Sequence, residues 1–82
     1  MLYILGRLGD TMTAENSKLR NHIKQHRARL DLTQQALADM VRVSRQTIIS
    51  TEKGQYVPST LLAFRIARAL GMSVEELFEL EE

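Results

Sequence analysis

The side chains with the clearest chemical character follow one another between Leu32 and Gly54. A predicted helix from about Arg45 to Lys53 carries an outward surface of polar side chains that can form hydrogen bonds. Arginine can donate two parallel hydrogen bonds to guanine, and glutamine can bond to adenine in both directions. This surface consists of Arg45, Gln46, Thr47, Ile49, Ser50 and Lys53, of which only Ile49 is apolar.

Two short helices joined by a tight turn must position this surface. The first is predicted from about Gln34 to Met40, and the second is the helix from Arg45 to Lys53. Thr33 and Ser44 stand where N-caps belong, because a hydroxyl can accept a hydrogen bond from the unpaired N–H groups of a first turn. Gly54 stands where a helix ends, because glycine adopts the left-handed conformation at little cost. Two helices at a steep angle, the second with a polar outer surface, form a helix-turn-helix pattern.

This stretch resembles the phage-repressor-like, or XRE/Cro-type, helix-turn-helix DNA-binding family, and the resemblance extends from about Leu19 to Leu80. The matching residues are Leu32-Thr33-Gln34, Leu37-Ala38, Val43 to Ile48, Glu52 with Gly54, Pro58-Ser59, Ile66-Ala67, Leu70-Gly71 and Ser73 to Phe78. The resemblance implies an all-α fold of five helices, with the helix-turn-helix at helices two and three. It also implies double-stranded DNA as the partner and no cofactor.

The other three helices follow from apolar periodicity and capping signals. Helix one is predicted from about Ser17 to Leu30, helix four from about Thr60 to Leu70, and helix five from Val74 to about Leu80. Gly71 ends helix four, and Ser73 to Glu76 forms a capping box before helix five. We therefore expect the DNA-binding domain to span residues 17–82.

Residues 1–16 form an extension whose role the sequence leaves open. Leu2 to Leu5 is a short run of β-compatible residues that Gly6 and Gly9 close. It can form a short strand, paired with its copy in a dimer, or belong to a disordered tail. In a third interpretation Met12 lies near the true start of the protein.

Charge is divided unevenly along a chain whose net charge is only +1. From Ser17 to Lys53 there are eight Lys or Arg against three acids, and from Gly54 onward there are two Arg against five Glu. Such a division is compatible with an ordinary solvated surface. Because the basic part coincides with the helix-turn-helix stretch, it favours contact with a polyanion.

The sequence argues against catalysis and against a metal site. There is no cysteine, and His22 and His26 have no further ligand nearby to complete a metal site. No nucleophile has a neighbouring base, and no glycine loop could hold a phosphate.

No apolar run approaches a membrane span, and residues 1–8 are too short for a secretory signal. We expect one small cytoplasmic domain that is not an enzyme.

The resemblance implies a role for particular side chains. Base contacts carried over from the family fall on Arg45, Gln46 and Ser50, and Ile49 could contact a thymine methyl group. Contacts to phosphates are expected from Gln34, Ser44, Thr47, Lys53, Gln55 and Tyr56, and Gln34 should also brace Arg45. An ion pair between Arg27 and Glu52 is expected to hold helix one against helix three.

Two positions depart from the family pattern. Arg42 ends helix two where the family usually has glycine or asparagine, and a left-handed arginine costs about 1 kcal/mol. Thr51 stands where the family more often has isoleucine or leucine. Its hydroxyl can bond to the carbonyl oxygen one turn earlier, which allows partial burial.

The leading hypothesis is a sequence-specific transcription regulator, acting as a repressor that binds a palindromic operator as a homodimer. Half-sites would then be about 34 Å apart. The predicted dimer surface uses apolar residues not needed inside: Leu61, Phe64, Met72, Phe78 and Leu80. The alternative is an antitoxin or adaptor that binds a protein partner through its acidic C-terminal side and Met1 to Leu8.

Overall fold

Two strands and five helices follow one another in a computed structural model that describes residues 18–81. In chain order they are β1 (Lys18–Asn21), α1 (Ile23–Arg29), α2 (Gln34–Val41), α3 (Arg45–Glu52), α4 (Thr60–Leu70), α5 (Val74–Leu77) and β2 (Phe78–Glu81). The five predicted helices are present, so the helical fold class is confirmed. The extension over residues 1–16, with its possible strand at Leu2 to Leu5, lies outside the described residues.

Side-chain caps begin four of the five helices, and the sequence predicts three of them, those of Thr33, Ser44 and Ser73. The hydroxyl of Thr33 accepts from the backbone N–H of Ala36 at 2.9 Å, and Ser44 caps α3 in the same way. Ser59 caps α4, and Ser73 forms the predicted capping box with Glu76 before α5. These helices therefore begin where a local hydroxyl satisfies the first-turn donors.

The ends of the described chain differ from the prediction. Helix one was expected from Ser17 but begins at Ile23, and helix five was expected to reach Leu80 but ends at Leu77. The residues at these two ends, 18–21 and 78–81, instead pair as an antiparallel ribbon, in which Leu19 lies opposite Leu80. Leu19 and Ile23 are four residues apart, a spacing that also suits one helix face, and the pairing partner is distant in sequence. We call β1 and β2 together the terminal ribbon.

The core is built around α4, which contributes more buried side chains than any other helix. The buried apolar residues are Ile23, Leu37, Ala38, Val41, Ile48, Leu62, Ala63, Ile66, Ala67, Leu70, Leu77 and Phe78. Phe78 is only 7% exposed, so it belongs to the core and not to the predicted dimer surface. It lies at the start of β2, where the strand still faces the helices, whereas the prediction placed it on a helix.

The helix α3 contributes little to this core. Ile48 and Thr51 are its buried residues, and Thr51 Oγ1 donates to the carbonyl oxygen of Thr47 at 2.6 Å. That bond is the one predicted for Thr51, although the residue is fully buried, not partly buried. Only these two side chains of α3 are buried, so most of the helix surface faces outward.

The turn between α2 and α3 has the conformation expected at its first residue. Arg42 has φ 65° and ψ 45°, and its N–H donates to the carbonyl oxygen of Ala38. The backbone at Arg42 is therefore left-handed without the freedom of glycine, at a cost of about 1 kcal/mol.

Across residues 18–81, no helix combines the length and apolar character needed to cross a membrane.

Candidate nucleic-acid interface

The four side chains predicted to contact bases lie on one face of α3. Arg45, Gln46, Ile49 and Ser50 have the spacing that brings residues together on a helix of 3.6 residues per turn. Arg45 and Gln46 are exposed, while Ile49 and Ser50 are half-buried. Gln46 Nε2 donates to Ser50 Oγ at 3.2 Å. The beginning of α3 thus presents a guanidinium and an amide to solvent.

Five of the six residues predicted to contact phosphates lie at or near the two ends of α3, and the sixth, Gln34, begins α2. Ser44 and Thr47 flank its N-terminus, where their hydroxyl oxygens are 3.0 Å apart. Lys53, Gln55 and Tyr56 come directly after its last residue, and all three are exposed. Polar and basic groups at both ends of one exposed helix are the kind of side chain that contacts the phosphates of a duplex.

Gln34, the first residue of α2, connects to α3 through both ends of its amide. Arg45 Nη2 donates to Gln34 Oε1 at 3.3 Å. Gln34 Nε2 donates to Glu52 Oε1 at 3.2 Å. The structure therefore brings Gln34 and Arg45 together in the arrangement that the family resemblance implied.

Arg27 and Glu52 form an ion pair between α1 and the end of α3. Arg27 Nε donates to Glu52 Oε2 at 2.8 Å, and Nη2 lies 3.3 Å from Oε1. The guanidinium is also satisfied by the carbonyl oxygen of Leu32, 2.9 Å from Nη1. The side chains are only 13% and 8% exposed, so the pair is largely shielded from water. It fixes the C-terminal end of α3 against α1.

A second attachment of α3, not predicted from the sequence, comes from the terminal ribbon. Asn21 Nδ2 donates to the carbonyl oxygen of Thr51 at 2.9 Å and approaches that of Glu52 at 3.4 Å. Its Oδ1 accepts from the N–H of Ile23 at 3.1 Å, which satisfies a donor at the start of α1. One amide thus joins the ribbon, α1 and the last turn of α3.

Comparison with known proteins places this arrangement in a family. Residues 23–77 match the sequence model of the helix-turn-helix family. The chain is 55% identical over 65 residues to an uncharacterised HTH-type transcriptional regulator of Methanothermobacter thermautotrophicus, covering 78% of this chain and 94% of the relative. It is 47% identical over 64 residues to YgzD, an uncharacterised HTH-type transcriptional regulator of Bacillus subtilis, covering 78% and 97%. This chain belongs to the helix-turn-helix family of transcriptional regulators.

A solved structure agrees with this assignment. The crystal structure of ClgR, the clp gene regulator from Corynebacterium glutamicum, matches this regulator with a TM-score of 0.63 and 31% identity. The match covers 66% of this chain and 57% of the ClgR chain. The predicted XRE-type family and the helix-turn-helix DNA-binding domain are confirmed.

Two basic residues of the regulator lie beside α3, although no contact was predicted for them from the sequence. Lys24 of α1 borders one shallow hollow with Gln34, Ile49 and Lys53. Arg20 of the terminal ribbon borders another hollow, which Lys53 also lines. Both are exposed. The sequence shows that both belong to the basic part of the chain. Their proximity to α3 depends on how β1 and α1 pack against that helix, which the sequence does not show.

The residues predicted for a dimer surface do not all lie together. Leu61, Phe64 and Met72 line one hollow on the α4 side, with Arg65, Arg68, Ser73, Val74 and Glu75 completing its walls. Leu61 and Phe64 are 61% and 60% exposed. Leu80, on β2, is exposed but does not line this hollow. We call the hollow lined by Leu61, Phe64 and Met72 the apolar groove.

The two histidines of the regulator have separate partners. His22 Nε2 lies 3.2 Å from Glu79 Oε2 across the terminal ribbon. His26 Nδ1 accepts from Arg29 Nε at 3.2 Å. Within residues 18–81, no group of three His, Cys, Asp or Glu side chains is arranged to hold a metal ion.

Proposed function

We propose that this regulator recognises a specific operator by placing the beginning of α3 in the major groove of double-stranded DNA. The observation that carries the proposal is an exposed Arg45 at the start of a capped helix, held by Gln34. The major groove is wide enough for one α-helix, and its base edges distinguish all four base pairs. Arg45 is assigned to guanine and Gln46 to adenine, each worth about 1–3 kcal/mol of discrimination. Ser50 and Ile49 extend the reading surface.

Contacts to the DNA backbone supply affinity and register. Ser44 and Thr47 stand at one end of α3, and Lys53, Gln55 and Tyr56 stand at the other, so they suit the phosphates on both sides of the groove. We assign Gln34 to the same role, in addition to its hydrogen bond with Arg45. Lys24 joins this set because it shares a hollow with Gln34 and Ile49.

The regulator is proposed to act as a homodimer that represses transcription by occupying a palindromic operator. One α3 reads only a few base pairs, whereas two related by a twofold axis read half-sites about 34 Å apart. The apolar groove supports this assembly, because exposed Leu61 and Phe64 line it together with basic and acidic residues, namely Arg65, Arg68 and Glu75. A twofold contact pairs a surface with a second copy of itself, so the arginines of one copy can meet Glu75 of the other.

Selection of bound sequences from a random duplex pool tests the recognition proposal. We expect a palindrome with guanine at the position read by Arg45. Arg45→Ala should then reduce discrimination at that position by about tenfold or more, since a paired contact to guanine is lost. A pool without any enriched sequence, or an enriched sequence that Arg45→Ala reads equally well, would contradict the proposal.

Sedimentation tests the dimer separately. Wild type at micromolar concentration should sediment as a dimer, and Phe64→Glu should sediment as a monomer because it places a charge in the apolar groove. Val57→Glu is the matched control, since Val57 is 68% exposed, comparable with Phe64 at 60%, but lies outside the groove. Wild type found only as a monomer would contradict this assembly.

A further inference from the structure

Glu52 makes more contacts than an ion pair with Arg27 requires. Its Oε2 accepts from Arg27 Nε at 2.8 Å, while its Oε1 faces both Arg27 Nη2 at 3.3 Å and Gln34 Nε2 at 3.2 Å. The carboxylate is nearly buried, at 8% exposure. One carboxylate therefore joins α1 to the amide that holds Arg45.

These contacts decide which way the amide of Gln34 points. An ionised carboxylate can only accept hydrogen bonds, so Gln34 must turn its NH2 group toward Glu52. Its carbonyl oxygen then faces the opposite side, where Arg45 Nη2 donates to it. A flipped amide would place an oxygen against the carboxylate and an NH2 group against the guanidinium, and neither pair could form a hydrogen bond.

We propose that Glu52 is a positioning residue for base recognition, which acts through the amide of Gln34 to hold the guanidinium of Arg45. This inference rests on the proposed function of Arg45 as the guanine-reading side chain. The contact with Gln34 uses one of the five N–H donors of the guanidinium, which leaves a pair of donors for guanine. Holding a flexible arginine before binding reduces the ordering that recognition would otherwise require.

Glu52→Gln is the informative substitution because it keeps the shape of the side chain and removes its acceptor-only character. When glutamine at position 52 offers its oxygen to Arg27, its NH2 group faces Gln34. The amide of Gln34 then reverses and turns its own NH2 group toward Arg45. We expect the preference for guanine to fall by about threefold to tenfold, the factor that corresponds to one hydrogen bond.

The measurement is a ratio of dissociation constants, taken on two duplexes. One duplex carries the selected operator and the other carries adenine in place of the guanine read by Arg45. Wild type, Glu52→Gln, Gln34→Ala and the double variant are compared at a temperature where circular dichroism shows each to be folded. If Glu52 acts through Gln34, the two single variants lower the ratio by similar factors and the double variant lowers it no further.

A control separates positioning from stability. Arg27→Lys keeps a cation beside Glu52 and leaves the carboxylate in place for Gln34, yet it loses the paired geometry of the guanidinium. It should lower the urea midpoint while leaving the guanine preference at the wild-type value. Gln34→Ala should leave the urea midpoint near the wild-type value and lower the guanine preference, because it leaves the contact of Arg27 with Glu52 untouched.

Exchange measurements on the wild type cover the case in which Glu52→Gln fails to fold. The side-chain amide protons of Gln34 should exchange with solvent more slowly than those of Gln55, which is exposed. Equal exchange at the two side chains would overturn the proposal, because Glu52 would not be holding the amide.

The outcomes distinguish this inference from the proposed function. An unchanged ratio in Glu52→Gln, or losses in the two single variants that multiply in the double variant, would overturn the role of Glu52. If Arg45→Ala destroys the guanine preference in the same assay, the proposed function still stands. If Arg45→Ala keeps the wild-type preference, Arg45 does not read the base and both proposals fall.

Discussion

Replacing Glu52 with glutamine removes one charge from a nearly buried ion pair and keeps the side-chain volume. The partner left behind is Arg27, whose side chain is 13% exposed and retains its bond to the carbonyl oxygen of Leu32. Breaking a buried pair by removing one partner costs about 3–5 kcal/mol, and the surviving Leu32 contact favours the lower end. A chain of 82 residues has a total stability of about 4–12 kcal/mol, so the loss is a large share of it.

Urea unfolding followed by circular dichroism measures this loss. With a urea dependence of about 1 kcal/mol per molar for so small a domain, the midpoint should fall by about 3 M. Glu79→Gln is the matched control, because Glu79 forms an exposed pair with His22 and such pairs contribute about 0–1 kcal/mol. Equal midpoints for wild type and Glu52→Gln would refute the reasoning, since the pair would then make no net contribution.

Three further predictions concern the surroundings of α3 and the start of α5. Lys24→Ala should weaken binding to all duplexes alike and reduce the slope of log K against log salt by about one, as expected for one lost phosphate contact; an unchanged slope would remove Lys24 from the interface. Asn21→Ala should lower the free energy of unfolding by about 1–3 kcal/mol in urea melts, because the N–H of Ile23 and the last carbonyls of α3 lose their partner. The backbone N–H and hydroxyl of Ser73 hold the pKa of Glu76 below its ordinary value. The stability that this carboxylate contributes is therefore present above its unfolded pKa and is lost as pH falls through the lowered folded pKa. NMR titration should show Ser73→Ala raising that pKa toward the ordinary value, and equal values in the two proteins would contradict the capping role.

The features predicted correctly from sequence depend on short stretches of chain. Thr33, Ser44 and Ser73 act on N–H groups three residues away, so their caps are visible without knowledge of the fold. The positive φ of Arg42 was expected because the family that the chain resembles usually has glycine or asparagine at that position. The contact of Arg27 with Glu52 joins distant residues, and it was accessible only because the chain resembles a family in which such a pair occurs.

The features that were missed depend on contacts between distant parts of the chain. The terminal ribbon pairs Leu19 with Leu80, and neither strand carries a local signal strong enough to outweigh helical spacing. The burial of Phe78 follows from that ribbon, so including Phe78 in the predicted dimer surface was wrong. Lys24 lies next to the exposed face of α3 only because α1 packs beside α3, which the order of charges along the chain does not reveal.

The manner in which α3 is held explains how a helix with so few buried residues stays fixed to the rest of the fold. Its buried side chains are Ile48 and Thr51, and these two contacts alone would hold the helix only weakly. Polar contacts supply the rest: Ser44 closes its N-terminus, Asn21 reaches its last carbonyls, and Glu52 bonds to α1. Because these contacts attach to the backbone and to one inward carboxylate, the outward side chains remain available for a partner. Substitutions on the outer surface of α3 can therefore leave the fold that carries it unchanged.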